Sequence, residues 1–280
     1  MEDAAQVGLD GLLPLVERHL DDITLRRDSR DGCASCRGRA MFPGWLHELS
    51  IASLALGVAC AVFTIIDLIM RPQKMGVMNV VWPLTMLFGS VWVLCFNLLF
   101  GRASKRGEEM RASGASRKRS AAFAAKVAKG ALHCGAGCTL GDILAEGLAF
   151  NVPILVTALG WHTLFNREMF AVWVLDFVFA FVLGIVFQYF AIAPMRQSSF
   201  ASNLMAALKA DTLSLVSWQL GMYGSMAMIQ LLWLGPTYGK AAEANEPEFW
   251  FAMQLAMLAG MGTAYPVNWW LIRTGVKEPM

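Results

Sequence analysis

The 280 residues are 56% hydrophobic and include 17 methionines and 10 tryptophans. Together with a mean hydropathy of +0.49, that balance excludes an ordinary water-soluble domain. The formal net charge of +2 is too small for a nucleic-acid surface, and the basic residues gather in one loop rather than along an aromatic-studded face. The expected class is all-α: a polytopic membrane helix bundle of about six transmembrane helices, each long enough to cross roughly 30 Å of hydrocarbon.

The chain starts with a polar segment, 1–44. In it Leu12, Leu13, Leu15, Val16, Leu20, Ile23 and Leu25 alternate with Glu17, Arg18, Asp21 and Asp22 in a partly amphipathic helical pattern. The pair Cys33 and Cys36 follows; two thiols at this spacing grip one soft ion or cycle as a dithiol, whereas a four-cysteine zinc site needs a second pair nearby. The acidic start, Met1-Glu2-Asp3, is unlike a cleavable secretion signal, so the first apolar run is expected to act as the insertion signal.

The apolar runs extend approximately over Trp45–Met70, Val77–Phe100, Leu132–Leu159, Phe170–Ile192, Leu208–Leu234 and Phe249–Ile272. The first two form a hairpin over 45–100, a basic linker covers 101–120, and the other four make a module over 121–280. The linker region and the residues just after it hold Arg102, Lys105, Arg106, Arg111, Arg117, Lys118, Arg119, Lys126 and Lys129, while the loops after the first, third and fifth runs are poor in cations. Cations favour the cytoplasmic side, so both termini are expected there, in a bacterial inner membrane. The third run is a full span or a broken one, because Pro153 interrupts its far end. Pro83 and Pro266 mark further bends, each releasing a carbonyl inside its helix.

The third run also carries the strongest chemical signal, His133-Cys134-Gly135-Ala136-Gly137-Cys138-Thr139-Leu140-Gly141-Asp142, with Glu146 beyond. Polar groups inside a membrane helix come at a cost, which points to function. Cys134, Cys138, Asp142 and Glu146 follow one another at i, i+4 spacing and so form one slowly drifting stripe, about 18 Å long at 1.5 Å per residue. Gly130, Gly137, Gly141 and Ala145 share nearly that face, which would let a neighbouring helix approach closely. The two thiols on a regular helix have Cβ atoms about 5–6 Å apart, a spacing suited to one shared ion and too wide for the roughly 3.8 Å of a disulfide. Unwinding at Gly135 and Gly137 would gather His133, Cys134 and Cys138 around one point and permit either chemistry.

Other membrane-embedded polar groups are Asp176 in the fourth run and Lys209 and Asp211 at the head of the fifth. Lys209 and Asp211 lie about 200° apart on a helix and cannot pair with each other, so Lys209 with Asp142, Asp176 or Glu146 is the simplest ion pair. Met253, Met257 and Met261 repeat at i, i+4, i+8 on the last run, and Met222 and Met226 repeat on the fifth. These ladders offer thioethers, which together with thiolates prefer Cu(I), or they simply fill gaps between helices.

The segment from about Ala121 to Met280 resembles a family of bacterial multi-spanning membrane proteins whose shared module is known only as a domain of unknown function. The resemblance rests on the His133–Asp142 motif, Gln188-Tyr189-Phe190, Ala193-Pro194-Met195, Leu208–Ser214, Trp218-Gln219, Gly221-Met222-Tyr223-Gly224 and Thr263–Trp270. It implies a multi-pass architecture and carries no established reaction.

These residues lead to an expected function: binding, and transport, of a soft transition metal, copper as Cu(I) first, at Cys134 and Cys138 with His133 as third ligand. Asp142, Glu146, Asp176, Lys209 and Asp211 would form the ion path or its ion pairs, with the methionine ladders, Cys33 and Cys36 as secondary soft ligands. The alternatives are a membrane thiol-disulfide oxidoreductase and a non-catalytic scaffold subunit. Expected partners are the lipid bilayer and a second copy or another membrane protein, without nucleic acid. No CxxCH, GxxxxGK or HExxH motif is present.

Overall fold

A computed structural model of the protein describes residues 42–73, 75–101, 115–195 and 199–278, without the side chains of 115–121 and 195. The pair Cys33 and Cys36 and most of the basic linker lie outside the described residues. The described residues include six long helices: α1 (Gly44–Met70), α2 (Met78–Phe96), α3 (Ala115–Asn151), α4 (Glu168–Ile192), α5 (Phe200–Ala227) and α6 (Pro247–Arg273). No strand occurs among the described residues.

Each predicted apolar run falls on one long helix, but the third differs at both ends. Helix α3 starts at Ala115, well ahead of Leu132. The added residues are rich in Ala, Lys and Arg, strong helix formers that extend a helix beyond its apolar part. At the other end the backbone of Val152 leaves helical geometry (φ −131°, ψ 70°), and Pro153 starts a separate short helix, Pro153–Ala158. Proline lacks the N–H that would continue α3, and its fixed φ suits the first turn of a new helix. Between these ends α3 is unbroken through Gly135 and Gly137.

By length and composition, the helix α1, the helix α2 with its last turn through Gly101, and the helix α4 are apolar enough to cross a membrane. The other three long helices, α3, α5 and α6, supply most of the buried polar groups, among them His133, Asp142, Glu146, Asp211, Ser214, Gln219 and Asn268. On the outside, large apolar side chains such as Ile69, Trp92, Leu99, Leu220 and Leu232 are exposed. Among the described residues, many large apolar side chains are thus exposed while a set of polar ones is buried in an otherwise apolar core, unlike the usual pattern of a water-soluble protein.

Helix α3 is central: it packs on α4, α6, α2 and α5. Small residues let it approach. A Cβ at Gly137 would lie 2.7 Å from Gly184 Cα, and one at Gly141 would lie 2.7 Å from Ala180 Cα, so α3 and α4 run antiparallel with their backbones nearly touching. The ring of Trp218 on α5 lies across Gly135, where a Cβ would come within 2.3 Å of it. Glycine at 135 and 137 therefore provides room for neighbours rather than an unwound turn. Helices α5 and α6 are joined by a reciprocal pair of bonds: Ser217 Oγ donates to the Thr263 carbonyl (3.0 Å) and Thr263 Oγ1 to the Ser217 carbonyl (2.7 Å).

Candidate functional site

The face of α3 that carries Cys134, Cys138, Asp142 and Glu146 is buried along its whole length. It meets two different environments at two levels of the bundle.

The first level surrounds Cys134. Its Sγ lies 3.0 Å from Asp211 Oδ1 and 3.0 Å from Ser214 Oγ, both on α5. Asn268 on α6 donates to Ser214 Oγ (2.5 Å) and to the Ala264 carbonyl (2.9 Å). The cation of this cluster comes from beyond the last helix. Lys277 is 1% exposed; its Nζ donates to Asp211 Oδ1 (2.6 Å) and Asn268 Oδ1 (2.8 Å) and lies 3.4 Å from Cys134 Sγ.

Lys277 reaches the interior because the chain reverses after α6. Gly275 adopts φ +73°, a left-handed conformation that glycine enters without steric cost. The amides of Val276 and Lys277 then both donate to the Leu271 carbonyl (3.0 and 3.1 Å). A buried ion pair needs its remaining bonding capacity filled; Asn268 and Cys134 fill part of it, while Asp211 Oδ2 has no hydrogen-bond partner.

This arrangement corrects the expected ion pair. Lys209 lies on the exposed side of α5, and Asp211 is instead matched by Lys277. The available signal was a glycine just past a helix end followed two residues later by lysine, together with a buried aspartate requiring a cation.

The second level lies farther along α3. Continuing the register set by Gly137 with Gly184 and Gly141 with Ala180 places Asp176 opposite Ala145, between Asp142 and Glu146. Asp142 (1% exposed), Glu146 (7%) and Asp176 (0%) are all buried. No hydrogen bond reaches either carboxyl oxygen of Asp142 or of Asp176. Tyr223 on α5 lies within electrostatic reach of the same three acids, and its hydroxyl donates to the Trp173 carbonyl (3.1 Å) while accepting from Gln219 Nε2 (3.2 Å). Three carboxyls in a low-dielectric interior cannot all stay ionised without cations, so each negative charge there calls for a proton or another cation.

Other expected ligands are placed less suggestively. Cys134 and Cys138 are free thiols, both fully buried. The ring of His133 packs edge-on to Phe187, with centroids 6.3 Å apart. Met222, Met226, Met253 and Met257 are buried in the core, and Met261 packs against it. Among the described residues, no group of three or more His, Cys, Asp or Glu side chains is arranged to hold a metal ion.

A family model described as a domain of unknown function (DUF4396) matches residues 125–277, a stretch that takes in both polar levels and Lys277. No curated protein and no solved structure matches the chain.

Proposed function

The chain belongs to that DUF4396 family, which brings no activity with it, and we propose from its geometry that it is a multi-pass protein of the bacterial inner membrane that passes protons through its bundle. In this reading all six long helices cross the bilayer and both termini are cytoplasmic. The exposed apolar belt and the cation-rich linker support the placement. The observation that carries the function is the layer of Asp142, Glu146 and Asp176, buried at one level of the α3–α4 contact, with Asp142 and Asp176 lacking any hydrogen-bond partner. Acids retained unpaired inside a membrane protein are characteristic of proton relays. Because they do not converge as a chelating group, they suit stepwise protonation better than capture of one metal ion.

Purified protein reconstituted in liposomes with an internal pH-sensitive dye provides the test. Under an imposed membrane potential, wild type should acidify or alkalinise the lumen, and Asp142→Asn/Asp176→Asn should reduce the flux at least tenfold. Equal flux in the two proteins would overturn the reading.

A second reading keeps Cu(I) at Cys134 and Cys138, favoured by two free, fully buried thiols on one face of a continuous helix. Lys277 weighs against it, since its ammonium nitrogen 3.4 Å from Cys134 Sγ would repel a metal cation on that sulfur. Metal analysis of the purified wild type and of Cys134→Ser/Cys138→Ser decides: stoichiometric copper in the former alone would establish it.

A further inference from the structure

Helix α2 does not run straight. At Ser90 the backbone takes φ 41° and ψ −128°, a positive φ that is uncommon for any residue but glycine, and the turn is tight enough that an added Cβ at Gly89 would collide with Val93. Beyond it the chain returns along itself. The rings of Trp82 and Phe96 have centroids 6.1 Å apart, and a Cβ at Gly101 would lie 2.7 Å from the Trp82 ring. A straight helix rising 1.5 Å per residue would hold residues 82 and 101 about 28 Å apart. Each arm, Met78 to Gly89 and Val91 to Gly101, is about 16–18 Å long by the same rise, little more than half of the roughly 30 Å of hydrocarbon. Neither arm can cross alone.

The directions of the other helices require the same return. Gly137 against Gly184 and Gly141 against Ala180 make α3 and α4 antiparallel. Tyr223 with Trp173 and Leu215 with Gly184 do so for α4 and α5, and Ser214 with Asn268 and Gly221 with Ala259 for α5 and α6. Helix α1 runs parallel to α6, since His47 bonds Glu248 (2.8 Å) and, farther along both helices, Ser53 Oγ donates to Gln254 Oε1 (2.6 Å). Phe42, just before α1, packs on Tyr238 (centroids 5.6 Å apart) and under Lys240 Nζ, in the connection between α5 and α6. Helix α1 therefore starts on the face where α6 starts and ends on the face where α3 starts. The chain between α1 and α3 has to leave and regain one face, which a spanning α2 would not do.

We propose that α2 is a re-entrant hairpin, its tip at Gly89 and Ser90 inside the bundle and both of its ends on the side where α3 begins. Among the described residues the bilayer is then crossed five times, by α1, α3, α4, α5 and α6, in place of the six crossings given above. The start of α1 faces the side opposite the end of α6. Non-helical backbone at membrane depth is tolerated only where protein buries it or where it lines a water-filled cavity. Protein buries this tip: the Leu87 carbonyl accepts from Gln254 Nε2 (2.6 Å), and Phe88 packs edge-on against Trp218, with centroids 5.7 Å apart. The same indole covers Gly135 of α3, so the tip is wedged against the helix that carries both polar levels. The acid layer on α3 and α4 keeps its role and its test.

Sidedness is measured on the full chain in cells, with Cys33, Cys36 and Cys95 replaced by Ser and a membrane-impermeant maleimide as the probe. Four single variants add a thiol at exposed positions: Gly44→Cys at the start of α1, Gly76→Cys between α1 and α2, Thr237→Cys before α6 and Thr274→Cys after it. A Cβ at Gly44 or Gly76 meets nothing within 4 Å. Before permeabilisation Gly44→Cys and Thr237→Cys should label alike, Gly76→Cys and Thr274→Cys should label alike, and the two pairs should differ at least tenfold. Gly76→Cys on the side of Thr237→Cys, Gly44→Cys on the side of Thr274→Cys, or equal labelling of all four overturns the proposal. A second measurement is blind to sidedness. In the same background, spin labels on purified Val80→Cys/Leu99→Cys, both exposed positions, should lie well under the about 28 Å that a straight helix imposes between residues 80 and 99. A separation of that length or more overturns the hairpin. Neither readout depends on proton flux.

Discussion

Lys277 Nζ lies 2.6 Å from Asp211 Oδ1, and neither side chain has any solvent-exposed surface. The pair ties the segment after α6 to the interior of α5 and, through Cys134 and Asn268, to α3 and α6. It is a four-way junction at the first polar level.

Breaking this pair from one side should be costly. Lys277→Met leaves Asp211 as an uncompensated buried charge, and a loss of about 3–5 kcal/mol is expected on general grounds. Lys277→Met/Asp211→Leu removes both charges and should recover most of that loss. Unfolding of the three proteins in one detergent, followed by circular dichroism, measures the difference; a double variant no better than the single would contradict the desolvation argument.

The return of the chain depends on Gly275 at φ +73°. Gly275→Val forces a branched residue into left-handed geometry, at a cost of about 1–2 kcal/mol, and withdraws Lys277 from its partners. Its thermal stability should fall, and combining it with Lys277→Met should add little, since both act on one contact.

Close approach of α3 and α4 is required at Gly137, where a Cβ would meet Gly184 Cα at 2.7 Å, and not at Gly224 on α5, which has nothing within 4 Å of an added Cβ. Gly137→Ala should destabilise by about 1–3 kcal/mol through overpacking, whereas Gly224→Ala should be neutral or stabilising by up to about 1 kcal/mol. Melting temperatures of the two variants, measured side by side, check the sign.

The thiols should differ sharply in reactivity. Cys134 and Cys138 are buried and Cys95 is exposed on the outer surface. A membrane-permeant maleimide should label Cys95 in the native protein and the α3 cysteines only after denaturation. Under mild oxidant Cys134 and Cys138 should remain reduced, because i, i+4 positions on an intact helix hold their Cβ atoms about 5–6 Å apart. Mass spectrometry of differentially alkylated peptides reads both outcomes.

Much of the fold could be read along the chain. The six apolar runs mark the six long helices, and the i, i+4 spacing of Cys134, Cys138, Asp142 and Glu146 placed them on one face, which proved to be buried. The start of α3 was not legible, because a basic, alanine-rich stretch reads as a linker by charge and as a helix by propensity. The cation for Asp211 was not legible either: Lys209 is near in sequence but on the wrong face, and Lys277 arrives only through a glycine turn.

The sequence by itself determined the element type and the face each polar residue occupies, since both follow from the 3.6-residue period within a single helix. Tertiary structure alone decided which faces meet. Gly137 against Gly184 and Gly141 against Ala180 set the register that brings Asp176 between Asp142 and Glu146, and the reversal at Gly275 brings Lys277 to Asp211. Those relations depend on steric fit between helices distant in the chain, which no local periodicity encodes.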